Sequence, residues 1–242
     1  MKMTDLLDLA IDAHGGWDRW QKLSKATVRA NLGGGLWALK GQSDAPLDDV
    51  RMTVALHAQH VEASPFKAPG TRSVYAPERV AIETDDGRVL ASRANPRAAF
   101  AGHALATPWD DLQLVYFRGY AMWTYLAAPF VFREAGFRTQ ELEPWRENGE
   151  SWRRLKVAFA PAVPSHSTEQ VFYFDDTGLL RRHDYSVDIV GGTSSAHYAS
   201  DHKTFGGIAF PTRRRVYRHG ADNRPLPDSL AVTIDITDVA VE

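Results

Sequence analysis

The sequence contains no cysteine, which excludes a disulfide framework, Cys-ligated zinc and thiol catalysis. An excess of charge of one sign is missing too. With 28 Lys and Arg against 30 Asp and Glu the formal net charge is -2, so there is no electrostatic footprint for nucleic acid or anionic lipid, and neither partner is expected. There is no apolar run able to cross a bilayer. The longest candidate, residues 112–132, holds Arg118 and Pro129 and follows Asp110 and Asp111, so it reads as a buried helix, and no membrane insertion is expected. Near the N-terminus Asp5 and Asp8 interrupt the apolar core of ~7–15 residues that a secretory peptide needs, which predicts a cytoplasmic location. Signatures of common chemistries are absent as well: no Gly-x-Ser-x-Gly elbow, no dinucleotide fingerprint and no His-Glu-x-x-His pair, and Gly33-Gly34-Gly35 precedes no Gly-Lys-Ser/Thr phosphate loop. No cofactor is expected. Without repeats, low-complexity tracts or linkers, residues 1–242 read as a single domain.

What is present is an ordinary globular balance, 44% hydrophobic, with enough apolar side chain to bury a core. Thr4 is positioned to cap a helix to about residue 14, which Gly15-Gly16 ends, and residues 17–23 form a shorter one. Segments 26–30 and 36–40 flank the three glycines and predict a hairpin. Residues 50–63 alternate apolar and polar, and segments 79–83 and 88–91 flank Asp85-Asp86-Gly87, a second hairpin. Thr107-Pro108-Trp109-Asp110 reads as a helix cap, a first-position proline and an acid three residues after the cap, opening a helix of roughly five turns that stops before Pro129. Leu112, Tyr116, Tyr120 and Trp123 lie on one face of that helix and Leu114, Phe117, Ala121 and Tyr125 on another, so it must be enclosed. After residue 150 strand patterns recur at 152–159, 169–175, 179–190, 195–205, 208–217 and 230–241. Their short connections require antiparallel neighbours, which makes the fold class α+β.

The N-terminal Ala13-His14-Gly15-Gly16, the segment Phe174-Asp175-Asp176-Thr177-Gly178-Leu179-Leu180-Arg181 and the run Asp201-His202-Lys203-Thr204-Phe205-Gly206-Gly207-Ile208-Ala209-Phe210-Pro211-Thr212 carry a resemblance. With one long enclosed helix ahead of a meander, the chain resembles the lipoprotein-carrier-like (LolA-like) superfamily. Trp109-Asp110-Asp111-Leu112 and His183-Asp184-Tyr185 are similar to segments in a group of uncharacterised cytoplasmic bacterial proteins. The superfamily resemblance implies a strongly curved antiparallel sheet, a half-barrel, wrapping the long helix and enclosing an apolar cavity.

Strand alternation groups the residues that can carry chemistry. In 179–190 it places Leu179, His183, Tyr185, Val187 and Ile189 on one side and Arg182, Asp184, Ser186 and Asp188 on the other. In 169–174 the sets Gln170, Phe172, Phe174 and Glu169, Val171, Tyr173 are too alike to rank. His166, His183, His197 and His202 fall in neighbouring segments of one meander, where cross-strand partners approach within roughly 5 Å. Imidazole serves as general base, general acid or metal ligand, with Glu169, Asp184 and Asp201 available to orient a ring; equally, these are satisfied polar residues of a sheet. Arg213, Arg215 and Tyr217 share one face opposite Arg214 and Val216. Their guanidinium groups suit a carboxylate or phosphate, or pairing with Asp184, Asp188 or Asp235. Tyr116, Tyr120 and Trp123 can line a cavity, or simply pack.

Three functions remain open on these residues. The first is binding or carriage of a small apolar or amphipathic molecule between sheet and helix. The second is a cofactor-independent lyase, isomerase or hydrolase, with His183 as base and Tyr185 or an arginine stabilising developing charge. The third is a histidine-ligated metalloenzyme, for which the spacing names no ligand set.

Overall fold

Asp5 opens the first helix, α1 (Leu6–Ala13), because its carboxylate accepts from the amides of Leu7 at 2.9 Å and Asp8 at 3.3 Å, satisfying donors that have no intrahelical partner. The computed structural model describes residues 5–242; Thr4, the expected cap, lies outside them. The buried Leu6, Ala10 and Ile11 form the inner face of α1. At Gly15 the chain turns with φ 124°, and a Cβ there would meet the Gly207 carbonyl at 2.3 Å, so only glycine passes. A single turn, α2 (Trp17–Trp20), then seats Trp20 flat against Phe130, ring centroids 4.2 Å apart.

One antiparallel sheet of thirteen strands takes up most of the remaining chain. Its first part is β1 (Lys25–Gly33), β2 (Val50–Ala55), β3 (Val61–Ser64), β4 (Thr71–Ala76), β5 (Arg79–Thr84) and β6 (Val89–Ala94). Its second is β7 (Arg138–Glu147), β8 (Glu150–Ala158), β9 (Glu169–Phe174), β10 (Leu180–Val187), β11 (Thr193–Phe205), β12 (Ile208–His219) and β13 (Pro225–Val241). The order β6-β5-β4-β3-β2-β1-β13-β12-β11-β10-β9-β8-β7 joins two meanders through β1 and β13, so the first and last strands pair at the middle of the sheet. The sheet curves without closing, and the fold is an α+β half-barrel.

Two expectations are corrected, and two strands appear that the sequence did not announce. Residues 36–40 are no strand: Leu36–Leu39 form a helical turn, α3, whose buried Trp37 donates its indole N–H to the Gly33 carbonyl at 2.9 Å. The neighbour that β1 would have taken from that segment is β13 instead, with Gly33 opposite Thr233. The long helix, α4 (Asp111–Ala127), is capped by Asp110 and not Thr107. The Asp110 carboxylate accepts from the Gln113 amide at 2.8 Å, and the Gln113 side chain accepts from the Asp110 amide at 2.9 Å, a reciprocal pair that satisfies more donors than a lone threonine. Strands β4 and β7 join the sheet unannounced, β7 as an edge strand most of whose side chains are exposed.

Every side chain of α4 from Gln113 to Ala127 is buried, as its lack of a polar face requires. It connects the edge strands β6 and β7 through the concave side of the sheet and packs on β2 to β6. The approach is close: a Cβ at Gly119 would lie 2.1 Å from the Tyr75 ring of β4.

Candidate functional site

Because α4 leans toward β2 to β6, the other half of the concave face is left with a gap of about 390 Å³, within the range of small-molecule sites. From α4 it is lined by Phe117, Arg118, Ala121, Met122 and Tyr125, spaced as a helix face dictates. From the sheet come Leu32 of β1, Val187 of β10, Val216 of β12 and Val232 and Ile234 of β13. Trp37 of α3 and Trp109 complete the apolar wall. The loop above is clasped by Lys40, whose buried ammonium donates to the carbonyls of Leu105 at 2.6 Å and Thr107 at 3.2 Å. The mouth is marked by exposed lining residues: Leu39, Leu230, Arg218 and Asp228.

One wall is polar. His166, on the β8–β9 connection, accepts or donates at both nitrogens: Nδ1 lies 3.2 Å from the Tyr120 hydroxyl and Nε2 2.8 Å from the Tyr125 hydroxyl. Tyr125 bonds on to the Tyr185 hydroxyl at 3.0 Å, and the Tyr185 ring stacks on His166 at 3.9 Å. Burial, aided by the Arg97 charge, holds His166 down to about 3, so it is neutral near pH 7. Burial likewise pushes Tyr125 up to about 12 and Tyr185 well above its usual range. His166, Tyr125 and Tyr185 all line the cavity, presenting uncharged groups that hydrogen-bond a neutral polar atom.

Behind this wall stand the other histidines. His183 of β10 and His197 of β11 are direct cross-strand partners. The His183 ring stacks on Phe172 at 4.0 Å, and its Nε2 lies 2.6 Å from the Gln170 carbonyl oxygen, which makes Nε2 the protonated nitrogen. His197 packs edge-on against Tyr125 at 4.5 Å, with its Nε2 3.5 Å from Arg214 Nη1. Burial first, then neighbouring charge, depresses both rings well below the usual histidine range. His202 sits apart, 6.0 Å from the ring of His14. A left-handed residue, Asp201 at φ 56°, precedes it and interrupts the strand's simple alternation.

Other named residues lie elsewhere. Tyr116, Tyr120 and Trp123 are packed in the core without lining the cavity, Trp123 donating to the Ala55 carbonyl at 3.1 Å. Glu169 is exposed and pairs with Lys156 at 3.2 Å. Arg213, Arg215 and Tyr217 take the outer face: Arg213 is exposed, Arg215 pairs with Asp235 at 2.8 Å, and the Tyr217 ring meets Tyr198 at 6.1 Å. Arg214 is the inward arginine, buried and donating to the Tyr125 carbonyl at 2.8 Å. An irregularity between Leu180 and Arg182 shifts the alternation of β10, so that Leu180 and not Leu179 joins the buried core with His183. On the opposite face Arg182 is fully enclosed, donating to Asp184 at 2.6 Å and Glu147 at 2.8 Å, with Tyr173 and Tyr198 bonded to the same carboxylates. Among the described residues no three His, Asp or Glu side chains converge as a metal-binding set, so the metalloenzyme reading gains no ligands here.

Sequence reasoning passed over Tyr125 and Arg118 as site residues. Arg118 left a signal, since a charge inside a helix apolar all round has to be buried with it.

No family model and no curated protein matches the sequence. Comparison with solved structures finds the same architecture. A DUF1329 family protein from Desulfovibrio piger aligns over 98% of this chain and 92% of its own, with TM-score 0.55 at 12% identity. A LolA superfamily protein from Nitrosomonas europaea aligns over 98% and 92%, with TM-score 0.52 at 9% identity. A domain from Vibrio parahaemolyticus, proposed to be an outer membrane lipoprotein-sorting protein, gives 0.53 at 10% identity over the same shares. The fold of this chain is LolA-like.

Proposed function

We propose that this protein binds one small, mainly apolar molecule in the cavity between the curved sheet and α4, as a carrier or binding protein. The observation that supports this is the cavity itself: about 390 Å³, with Trp37, Trp109, Phe117, Met122, Val216 and Ile234 in its walls. A preformed apolar gap in an otherwise close-packed interior forgoes dispersion contacts that a ligand restores. The likeness to a LolA superfamily protein and to a domain proposed for lipoprotein sorting supports the same reading.

The enzyme alternative has one supporting observation, the His166, Tyr125 and Tyr185 cluster that lines the cavity with Tyr120 bonded behind it. In it both nitrogens of His166 are already engaged, and His183 does not line the cavity. Neither of these histidines is therefore a free base facing the cavity, and binding is the reading we adopt.

The uncharged fluorophore N-phenyl-1-naphthylamine provides the test. Delipidated protein is expected to bind it with a blue-shifted rise in fluorescence. Ala121→Phe, which fills the cavity from the buried face of α4, is expected to weaken binding at least ~10-fold, about 1.4 kcal/mol. Absence of binding by the native chain, or equal binding by the variant, refutes the proposal.

A further inference from the structure

Among the described residues most cations sit at the surface or beside a carboxylate, and the buried Lys40 and Arg214 donate to backbone carbonyls; Arg118 does none of these. It is 4% exposed, in the middle of α4, and its one hydrogen bond among the described residues is from Nη2 to the Ser73 hydroxyl at 3.2 Å. Its guanidinium lies over the Phe66 ring at 5.5 Å. Among the described residues no Asp or Glu pairs with it, whereas the equally enclosed Arg182 has two carboxylates. A guanidinium carries five donors in a fixed fork that matches a carboxylate. Burying its charge with one hydroxyl and one aromatic face as partners is unfavourable, and a guanidinium so placed has donors to offer an anion.

Arg118 also lines the cavity. Met122 and Tyr125 follow it on the same face of α4, four and seven residues on, which puts Tyr125 about 10 Å further along the helix axis. The wall between is apolar, with Ala121 and Met122 from the helix and Val216, Val232 and Ile234 facing them from the sheet. A buried cation within an apolar chamber whose other charged lining residues, Arg218 and Asp228, are exposed at its mouth fits a molecule with one acidic group and an apolar body.

We propose that the ligand is a single-chain amphiphile bearing one carboxylate, which Arg118 receives while the hydrocarbon occupies the cavity. This rests on the function proposed above and narrows its ligand class. The volume sets a further bound. At about 390 Å³ the chamber is at the small end of the ~300–1,000 Å³ of ligand sites and accommodates one such body, not several acyl chains.

Dodecanoic acid, its methyl ester and dodecan-1-ol, competing against N-phenyl-1-naphthylamine at pH 7.5, separate the contributions. Trp37 and Trp109 in the wall provide a second, intrinsic readout. The native protein is expected to bind the acid at least ~10-fold more tightly than either uncharged analogue. In Arg118→Met that ratio is expected to fall to near one, and Arg118→Lys to restore part of it. Equal binding of acid, ester and alcohol by the native chain overturns the proposal while leaving the apolar site intact. Failure of the fluorophore and all three probes to bind overturns the site as well. An acid preference that survives in Arg118→Met places the recognising charge elsewhere and also overturns it. If that variant does not fold, the three-way comparison on the native protein still decides.

Discussion

Lowering the pH from 7 to 5 provides a quantitative test of the packing described here. His14, His166, His183 and His197 are each at most 2% exposed, and burial is the leading reason that all four resist protonation. In the unfolded chain an imidazole titrates near ~6.5. In the folded chain His14 is held down to about 4 and His166 to about 3. The unfolded state therefore binds more protons between these limits. The stability associated with these rings is fully present above about pH 6.5 and declines as the pH falls toward 4 and then 3. From pH 7 to pH 5 the loss is about 2 kcal/mol for each of His14 and His166, about 4 kcal/mol together. His183 and His197 add to it in the same direction. Against a total stability of ~5–15 kcal/mol, that is a large fraction. Urea denaturation at pH 7, 6 and 5 measures it, and the slope against pH gives the protons taken up on unfolding. At least two are expected near pH 5, in a window above the ordinary carboxylate range. A stability constant to within about 1 kcal/mol from pH 7 to 5 would refute the claim that these rings are buried and neutral.

Two further expectations concern the frame around the site. Arg182→Met strands Asp184 and Glu147 as enclosed carboxylates and is expected to cost ~3–5 kcal/mol, part of which Asp184→Asn in the same chain recovers. A loss under about 1 kcal/mol in urea contradicts the view that this network is tightly enclosed. Trp123→Ala removes a core indole together with its bond to the Ala55 carbonyl, an expected ~3–5 kcal/mol. If the measured loss were below about 1 kcal/mol, α4 would be less tightly held than its burial indicates.

Much of the architecture is legible in the sequence because local and global preferences agree there. Asp85-Asp86-Gly87 makes a turn whose flanking strands pair as β5 and β6, and a helix without a polar face has to be enclosed. The misreadings have local causes. Three glycines before residues 36–40 look like a hairpin turn, but the partner that β1 takes is more than two hundred residues away, where no short-range signal reaches. Strand β7 is an edge strand with charged side chains and a proline, which hides the alternation that would announce it. At the site, alternation puts His183 and Tyr185 on one face and separates Arg214 from Arg213 and Arg215, yet three successive arginines do not say which side is the interior. The cavity arises from the lean of α4 toward one half of the sheet, a tertiary property with no periodicity to read.

The pairing of β1 with β13 has a consequence for biosynthesis. As the chain leaves the ribosome, β1 to β6 emerge before the others, yet the strand that covers the inner edge of β1 is the thirteenth of the sheet in chain order. Until residues 225–241 are free, the nascent chain holds two half-sheets with unpaired edges and an apolar helix awaiting its second wall. Such edges invite pairing with other chains. Premature termination ahead of β13 would therefore leave more than a shortened protein: it would leave two sheet fragments with no strand to join them, a species for quality control to clear.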